Sequence, residues 1–193
     1  GEIFIEGELV KFSSPIDAYN KGIQTVHQII NQGIIQNMTV AENLVLKDLL
    51  TNRKNFLIKK KNYIEEAEKI ADLMGIEHSI LNKEVSYTSQ SERQLIIIAR
   101  ALKSNPKLLI LDEPTAAISE KETEILFEKL KGLKEKNVTI LYVSHRLHEI
   151  ERIADKLIVI RDGKISDIME KPIKVGEIVT AMIGSVPKTI KAK

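Results

Sequence analysis

The stretch 108-LLILDEPTAAIS-119 decides the fold. Four apolar residues run into an acidic pair and then a proline. A short apolar run closed by a turn signal reads as a buried strand. Pro114 stops it and fixes the turn. Asp112 and Glu113 then stand at the strand's carboxyl end, where open α/β sheets bind their ligands. One carboxylate at such a place can hold Mg²⁺, and a second can orient or deprotonate a water. A bare apolar run followed by Asp-Glu is, more often than not, only a solvated strand end. The longer string DEPTAAIS shifts that balance.

Working outward, the pattern alternates after Pro106. Strands are expected at Leu108 to Leu111, Val138 to Val143 and Lys156 to Ile160. Helices lie between them, at about Glu120 to Glu135 and Leu147 to Ala154. The first is capped by Ser119 with Glu122. Apolar strands separated by helices predict a parallel sheet covered on both faces. Arg161-Asp162-Gly163-Lys164 turns into a last strand, and a closing helix covers about Lys174 to Ile183. Upstream, residues 2–12 read as a hairpin around Glu6-Gly7. Pro15 opens a short helix ending near Gly22, and Ile23 to Val26 is a short strand followed by His27-Gln28.

From Met38 to about Asn105 only helical signals appear. Thr39 with Glu42 caps a helix running through Leu50, and Asn62 starts another that stops before Gly75. A third is expected from about Ser91 to Leu102, with Ser91 and Gln94 spaced as a capping box. The organisation is an α/β core interrupted by a helical insert: 1–30 partial core, 31–105 helical subdomain, 106–193 core.

Bulk composition narrows the function. The 193 residues suffice for one core with an inserted subdomain. The formal net charge of +2 gives no reason to expect a polyanionic partner. The absence of cysteine excludes a disulfide scaffold, a thiol nucleophile and a thiolate metal site. Aliphatic runs such as Leu95 to Ala99 are too short to span a bilayer, and GEIFIEGELV does not read as a signal peptide. Lys59-Lys60-Lys61 reads as a solvated basic face, since no aromatic residues are interleaved with it as in a nucleic-acid site.

LLILDEPTAAIS resembles the Walker B motif and D-loop of ATP-binding cassette (ABC) proteins. The resemblance continues in the family's order. GIQTVHQ (22–28) is similar to the Q-loop strand, and NMTVAENLVL (37–46) to the start of the helical subdomain in sugar and nucleoside importers. TSQSERQLIIIARAL (88–102) is similar to the signature motif and its helix. ILYVSHRLHEI (140–150) resembles the switch-histidine strand and loop, ADKLIVIRDGKI (154–165) the following strand pair, and VTAMIG (179–184) the closing helix. AENL, PTAA, SHRL and AMIG resemble more narrowly the first cassette of tandem-cassette ATPases that energise importers of ribose, galactose, xylose and nucleosides.

The resemblance implies a P-loop-type α/β fold, with a mostly parallel sheet flanked by helices and an inserted helical subdomain. It implies ATP and Mg²⁺, with Asp112 and Gln28 toward the metal, Glu113 on the attacking water and His145 on the γ-phosphate. Ser89, Ser91 and Gln94 would face nucleotide held by an opposing cassette. Expected partners are membrane permeases, met through the Q-loop and helical subdomain, and a second cassette. Neither nucleic acid nor direct membrane insertion is expected, and the implied location is cytoplasmic, peripheral on the inner face of the cell membrane. His27, His78 and His148 read as structural or surface residues. Cassette ATPases acting on DNA or ribosomes fit less well, because no coiled-coil insert or basic linker is present.

Two departures matter. The family signature is Leu-Ser-Gly-Gly-Gln, and here Gln90 and Ser91 replace both glycines. A Cβ there leaves the backbone N–H donors but narrows the approach to them. The 193 residues also contain no G-x-x-x-x-G-K-[ST] segment; the one Gly-Lys pair, Gly163-Lys164, is followed by Ile165. The phosphate loop, its strand and its helix are expected upstream of Gly1, removed by truncation or supplied by another chain. The expectation that follows is a chain inactive alone, which either rearranges its sheet or pairs with another copy. An inactive cassette remnant that still docks a permease is the alternative.

Overall fold

The computed structural model describes residues 2–28, 33–51 and 60–183. Lys59 and Gly184 lie outside the described residues, as does the side-chain placement of Lys60 and Lys61. The chain forms two compact units, Gly1–Val143 and Ser144–Lys193.

The first unit opens with a hairpin of β1 (Ile3–Ile5) and β2 (Glu8–Val10). Glu6 and Gly7 both have positive φ, 52° and 82°, as a two-residue hairpin turn requires. Helix α1 (Pro15–Asn20) has Pro at its start and a complete capping box between Ser14 and Asp17. Gly22, at φ 87°, ends that excursion. Its carbonyl accepts the N–H groups of Lys107 and Leu108, which starts the pairing of the next two strands.

Those strands build a three-stranded parallel sheet, β3 (Ile23–Val26), β4 (Leu108–Asp112) and β5 (Thr139–Val143), in that spatial order. On one face Val26, Leu109 and Leu111 are each 0% exposed. Phe127 of α6 (Glu120–Glu135) meets Tyr142 of β5 edge-on there, with ring centroids 6.2 Å apart. The opposite face carries Leu108, Ile110 and Thr25, and is open at β5, where Leu141 is 49% and Val143 45% exposed. Leu108 and Ile110 are half-buried there, so the expected cover on both faces is incomplete at β5, among the described residues.

The helical residues pack beside the sheet. A capping box of Thr39 and Glu42 starts α2 (Val40–Leu44), but the helix stops at Val45 and a separate α3 (Leu46–Thr51) follows. The single helix expected through Leu50 is thus two. The next helix is α4 (Lys60–Asp72), which includes the expected Asn62. The third expected helix is α5 (Gln90–Lys103), capped by Ser89 with Glu92 rather than by Ser91 with Gln94. Leu44, Ile70, Met74, Leu81, Ile96 and Ile98 make the core of these helices, each at most 1% exposed.

The second unit holds α7 (Leu147–Ile153), the antiparallel pair β6 (Lys156–Arg161) and β7 (Lys164–Glu170), and α8 (Val175–Ile183). Ile150, Ile173 and Ile178 form its core. The sequence placed Lys156 to Ile160 in the parallel sheet. The structure pairs it with β7 in a sheet of two strands instead. The two-residue turn Asp162-Gly163 has positive φ at both positions, 51° and 73°, the twist that selects local antiparallel pairing.

Candidate functional site

The parallel register sets the geometry of the site. Val26 pairs with Leu111, and Asp112 with Val143. Asp112 and Glu113 therefore leave the sheet at its carboxyl end, beside the end of β3. Gln28, which is exposed, follows the end of β3 by two residues at that same end of the sheet. Three residues expected at the site are thus brought to one end of the sheet.

Glu113 is held in an unusual conformation. Its φ is 49°, a left-handed value that side chains with a Cβ avoid. Its N–H donates to Val143 O at 3.0 Å, and its carbonyl accepts the N–H of Ala116 at 3.2 Å. The carboxylate atom Oε2 is shielded from solvent. Pro114 and Thr115 behind it are buried.

Gly33 and Ile35 are tied down by a polar cluster on the helices. Asn43 is 0% exposed and accepts the Ile35 N–H at 2.9 Å, while its amide donates to Ile35 O at 2.9 Å and Thr39 O at 3.0 Å. From α5, the Arg100 guanidinium donates to Gly33 O and to Asn43 O. Burial lowers the pKa of Arg100 from its ordinary value, opposed by a smaller effect of Tyr19.

The start of α5 is the second part of the site. The Ser89 hydroxyl accepts the Glu92 N–H at 3.1 Å, and the Glu92 carboxylate accepts the Ser89 N–H at 2.6 Å. That backbone hydrogen bond lowers the Glu92 pKa. Ser91, one of the residues in place of glycine, donates to Glu122 at 3.2 and 3.3 Å. Glu122 in turn caps α6 through the Ser119 N–H at 2.6 Å. Gln94 is 2% exposed, and its amide donates to Pro114 O at 3.2 Å. So Ser89 is exposed, Ser91 faces α6, and Gln94 faces the turn that carries Glu113.

His145 belongs to the second unit and is exposed. Its loop is braced by its neighbours. Ser144 Oγ accepts the Arg146 N–H at 3.0 Å and donates to Glu149, which is 1% exposed and pairs with Arg146 at 3.4 Å. Sequence reasoning passed over Asn43 and Arg100. A polar residue on a helix's inward face was the available signal.

The donor set suits a hard cation, since Asp112, Glu113 and Gln28 offer only oxygen ligands for one. Among the described residues no group of three or more His, Asp and Glu could hold a metal alone. Mg²⁺ seldom needs one, as it keeps waters and takes substrate phosphate oxygens. No described helix is long and apolar enough to cross a membrane.

Comparison with known proteins agrees with this geometry. The family model described as "ABC transporter" matches residues 1–116. A ribose import ATP-binding protein of Bacillus licheniformis is 40% identical over 185 residues, covering 95% of this chain and 37% of that protein. A xylose import ATP-binding protein of Histophilus somni is 36% identical over 190 residues, covering 95% and 36%. The chain thus spans little more than a third of the length of the curated relatives it matches. Among solved structures, a dimeric ATP-binding cassette in a post-hydrolysis state with ADP and Pi matches with a TM-score of 0.74 at 24% identity, covering 88% of this chain and 73% of that one. A nucleotide-free cassette from an ABC transporter matches with a TM-score of 0.70 at 25% identity, covering 99% and 76%. The sheet-end carboxylates, the capped signature helix and these likenesses agree: the chain belongs to the ABC transporter family.

Proposed function

We propose that the chain is the ATP-binding part of an importer for a sugar or nucleoside, coupling ATP hydrolysis to transport. The observation that carries this reading is the placement of Asp112, Glu113 and Gln28 at one end of the parallel sheet. The import roles of the ribose and xylose relatives support it.

In this reading Asp112 and Gln28 hold Mg²⁺, which when bound neutralises charge on the phosphates. Glu113 accepts a proton from the attacking water, and its fixed turn sets the direction of approach. His145 donates a hydrogen bond to the γ-phosphate. Ser89 and the free N–H groups of the first turn of α5 meet the nucleotide of an opposing cassette. Ser91 adds a hydroxyl there only by leaving Glu122. The permease meets the helices and the segment after Gln28, where Asn43 and Arg100 join the two. The protein works at the cytoplasmic face of the membrane.

A second reading has the chain docking a permease without catalysis, and the replaced signature glycines favour it. Reconstitution with permease and a partner cassette that supplies a phosphate loop separates the two. Turnover that Glu113→Gln removes supports hydrolysis. Equal turnover with and without Glu113→Gln sinks the role given to this residue. Permease binding with no turnover establishes the docking module.

A further inference from the structure

We propose that Gln94 is a positioning residue that holds Glu113 in its left-handed turn. The proposal rests on the reading of Glu113 as the group that handles the water. A left-handed residue with a Cβ persists only where its surroundings over-determine it. Two of the restraints on Glu113 are backbone hydrogen bonds, to Val143 and from Ala116, which any side chain at 113 permits.

The third restraint is a side chain. Gln94 Nε2 donates to Pro114 O at 3.2 Å, inside a region where Gln94 is 2% and Thr115 0% exposed. Pro114 has no N–H and a fixed φ, so its carbonyl is the one backbone hydrogen-bonding group that this residue offers. A buried carbonyl that loses its donor has no water to replace it. Pro114 O is therefore expected to move when Gln94 cannot donate, and since the ring locks φ of Pro114, a reorientation of that residue as a body is taken up by the Glu113 dihedrals.

The same helix face makes a second attachment. Ser91, three residues before Gln94, donates to Glu122 in the capping box of α6. The run from Glu113 to Glu122 is thus fastened to α5 near both ends. A shift of the first turns of α5 reaches the backbone of Glu113 through Gln94. The signature helix and the water-handling carboxylate move as one body.

The test is backbone NMR of the 193-residue chain. A left-handed residue has distinctive Cα and Cβ shifts and a short intraresidue HN–Hα distance, seen as a strong NOE. Gln94→Leu, similar in size and unable to donate, should abolish that signature at Glu113 while Val26 and Leu109 keep their resonances. A Glu113 signature unchanged in Gln94→Leu would overturn the proposal. If Gln94→Leu does not fold, the same substitution in a Glu113→Gly background decides. Glycine sits in this turn without strain, so the double variant should recover a cooperative thermal transition. A double variant as unfolded as Gln94→Leu would overturn the proposal. Neither measurement uses nucleotide, so a failure here leaves the ATPase reading standing, and a failure of turnover leaves this one.

Discussion

Asn43 offers a sharp test of how the segment after Gln28 is held. Its side chain is 0% exposed and works as a donor and an acceptor at once. Asn43→Ala removes both functions. Ile35 is 40% exposed, so water can partly replace the lost partners there, whereas Thr39 O still accepts the Asn43 N–H at 3.0 Å. We expect a cost of about 2 kcal/mol, within the range for buried polar groups that lose a partner. Asn43→Asp keeps the acceptor for Ile35 N–H but sets a carboxylate oxygen against Ile35 O and Thr39 O, now 2.9 and 3.0 Å from the amide nitrogen. Above neutral pH it should cost roughly 2 kcal/mol more than Asn43→Ala, as a buried charge facing acceptors. The sign with pH follows. Burial raises the folded pKa of the new carboxyl above its unfolded value of about 3.9, so the extra cost is absent below that value and grows as pH rises through the folded pKa. Urea unfolding at several pH values measures this. With a slope of about 2 kcal/mol per molar, the Asn43→Ala midpoint falls by about 1 M. An Asn43→Asp chain as stable as Asn43→Ala at pH 7, or a gap that does not close in acid, would refute the donor and acceptor assignment.

Other substitutions probe the remaining parts. Gly22→Ala should destabilise by about 1–2 kcal/mol in thermal melts, because φ is 87° and the new Cβ would lie 3.0 Å from Lys107 Cγ. Glu92 has a lowered folded pKa, so its capping contribution is present above the unfolded value and lost as pH falls through the folded one. Glu92→Gln should flatten that acid limb in Tm measured against pH. Ser91→Ala should cost less than about 1 kcal/mol, since the hydrogen bond to Glu122 is part-buried and Glu122 keeps its capping role. Leu141 and Val143 leave an apolar strand open beside solvent, so the chain should self-associate, and Leu141→Lys should shift light scattering toward monomer. An unchanged size distribution would count against that.

Local signals were the legible ones. The strand before Asp112, the Glu6-Gly7 turn and the Ser119-Glu122 cap each depend on a few neighbouring residues, and each is found. Errors came where two local patterns competed or where partners were distant in sequence. SQSERQ offers two capping boxes in overlapping register, Ser89 with Glu92 and Ser91 with Gln94. The charged Glu92 gains more at a helix N-terminus than a neutral amide does, and Gln94 is drawn instead to a buried carbonyl twenty residues away. Lys156 to Ile160 looks like a core strand by composition, yet the adjacent Asp162-Gly163 turn closes it on β7. The alternation of strands and helices does not show that the second sheet face stays open at Leu141 and Val143, because that depends on packing between distant elements. The motifs singled out Asp112, Glu113 and Gln28, which the structure brings to one end of the sheet, while the Asn43 and Arg100 ties needed the folded helices to appear.

The central proposal is that Asp112 and Glu113 serve ATP hydrolysis together with a phosphate loop, and these 193 residues contain no G-x-x-x-x-G-K-[ST] segment. Steady-state Mg-ATP hydrolysis by the 193-residue chain, beside its Glu113→Gln variant, tests this most directly. The account predicts no turnover above background from either. Robust turnover by the unaltered chain that Glu113→Gln abolishes would contradict it.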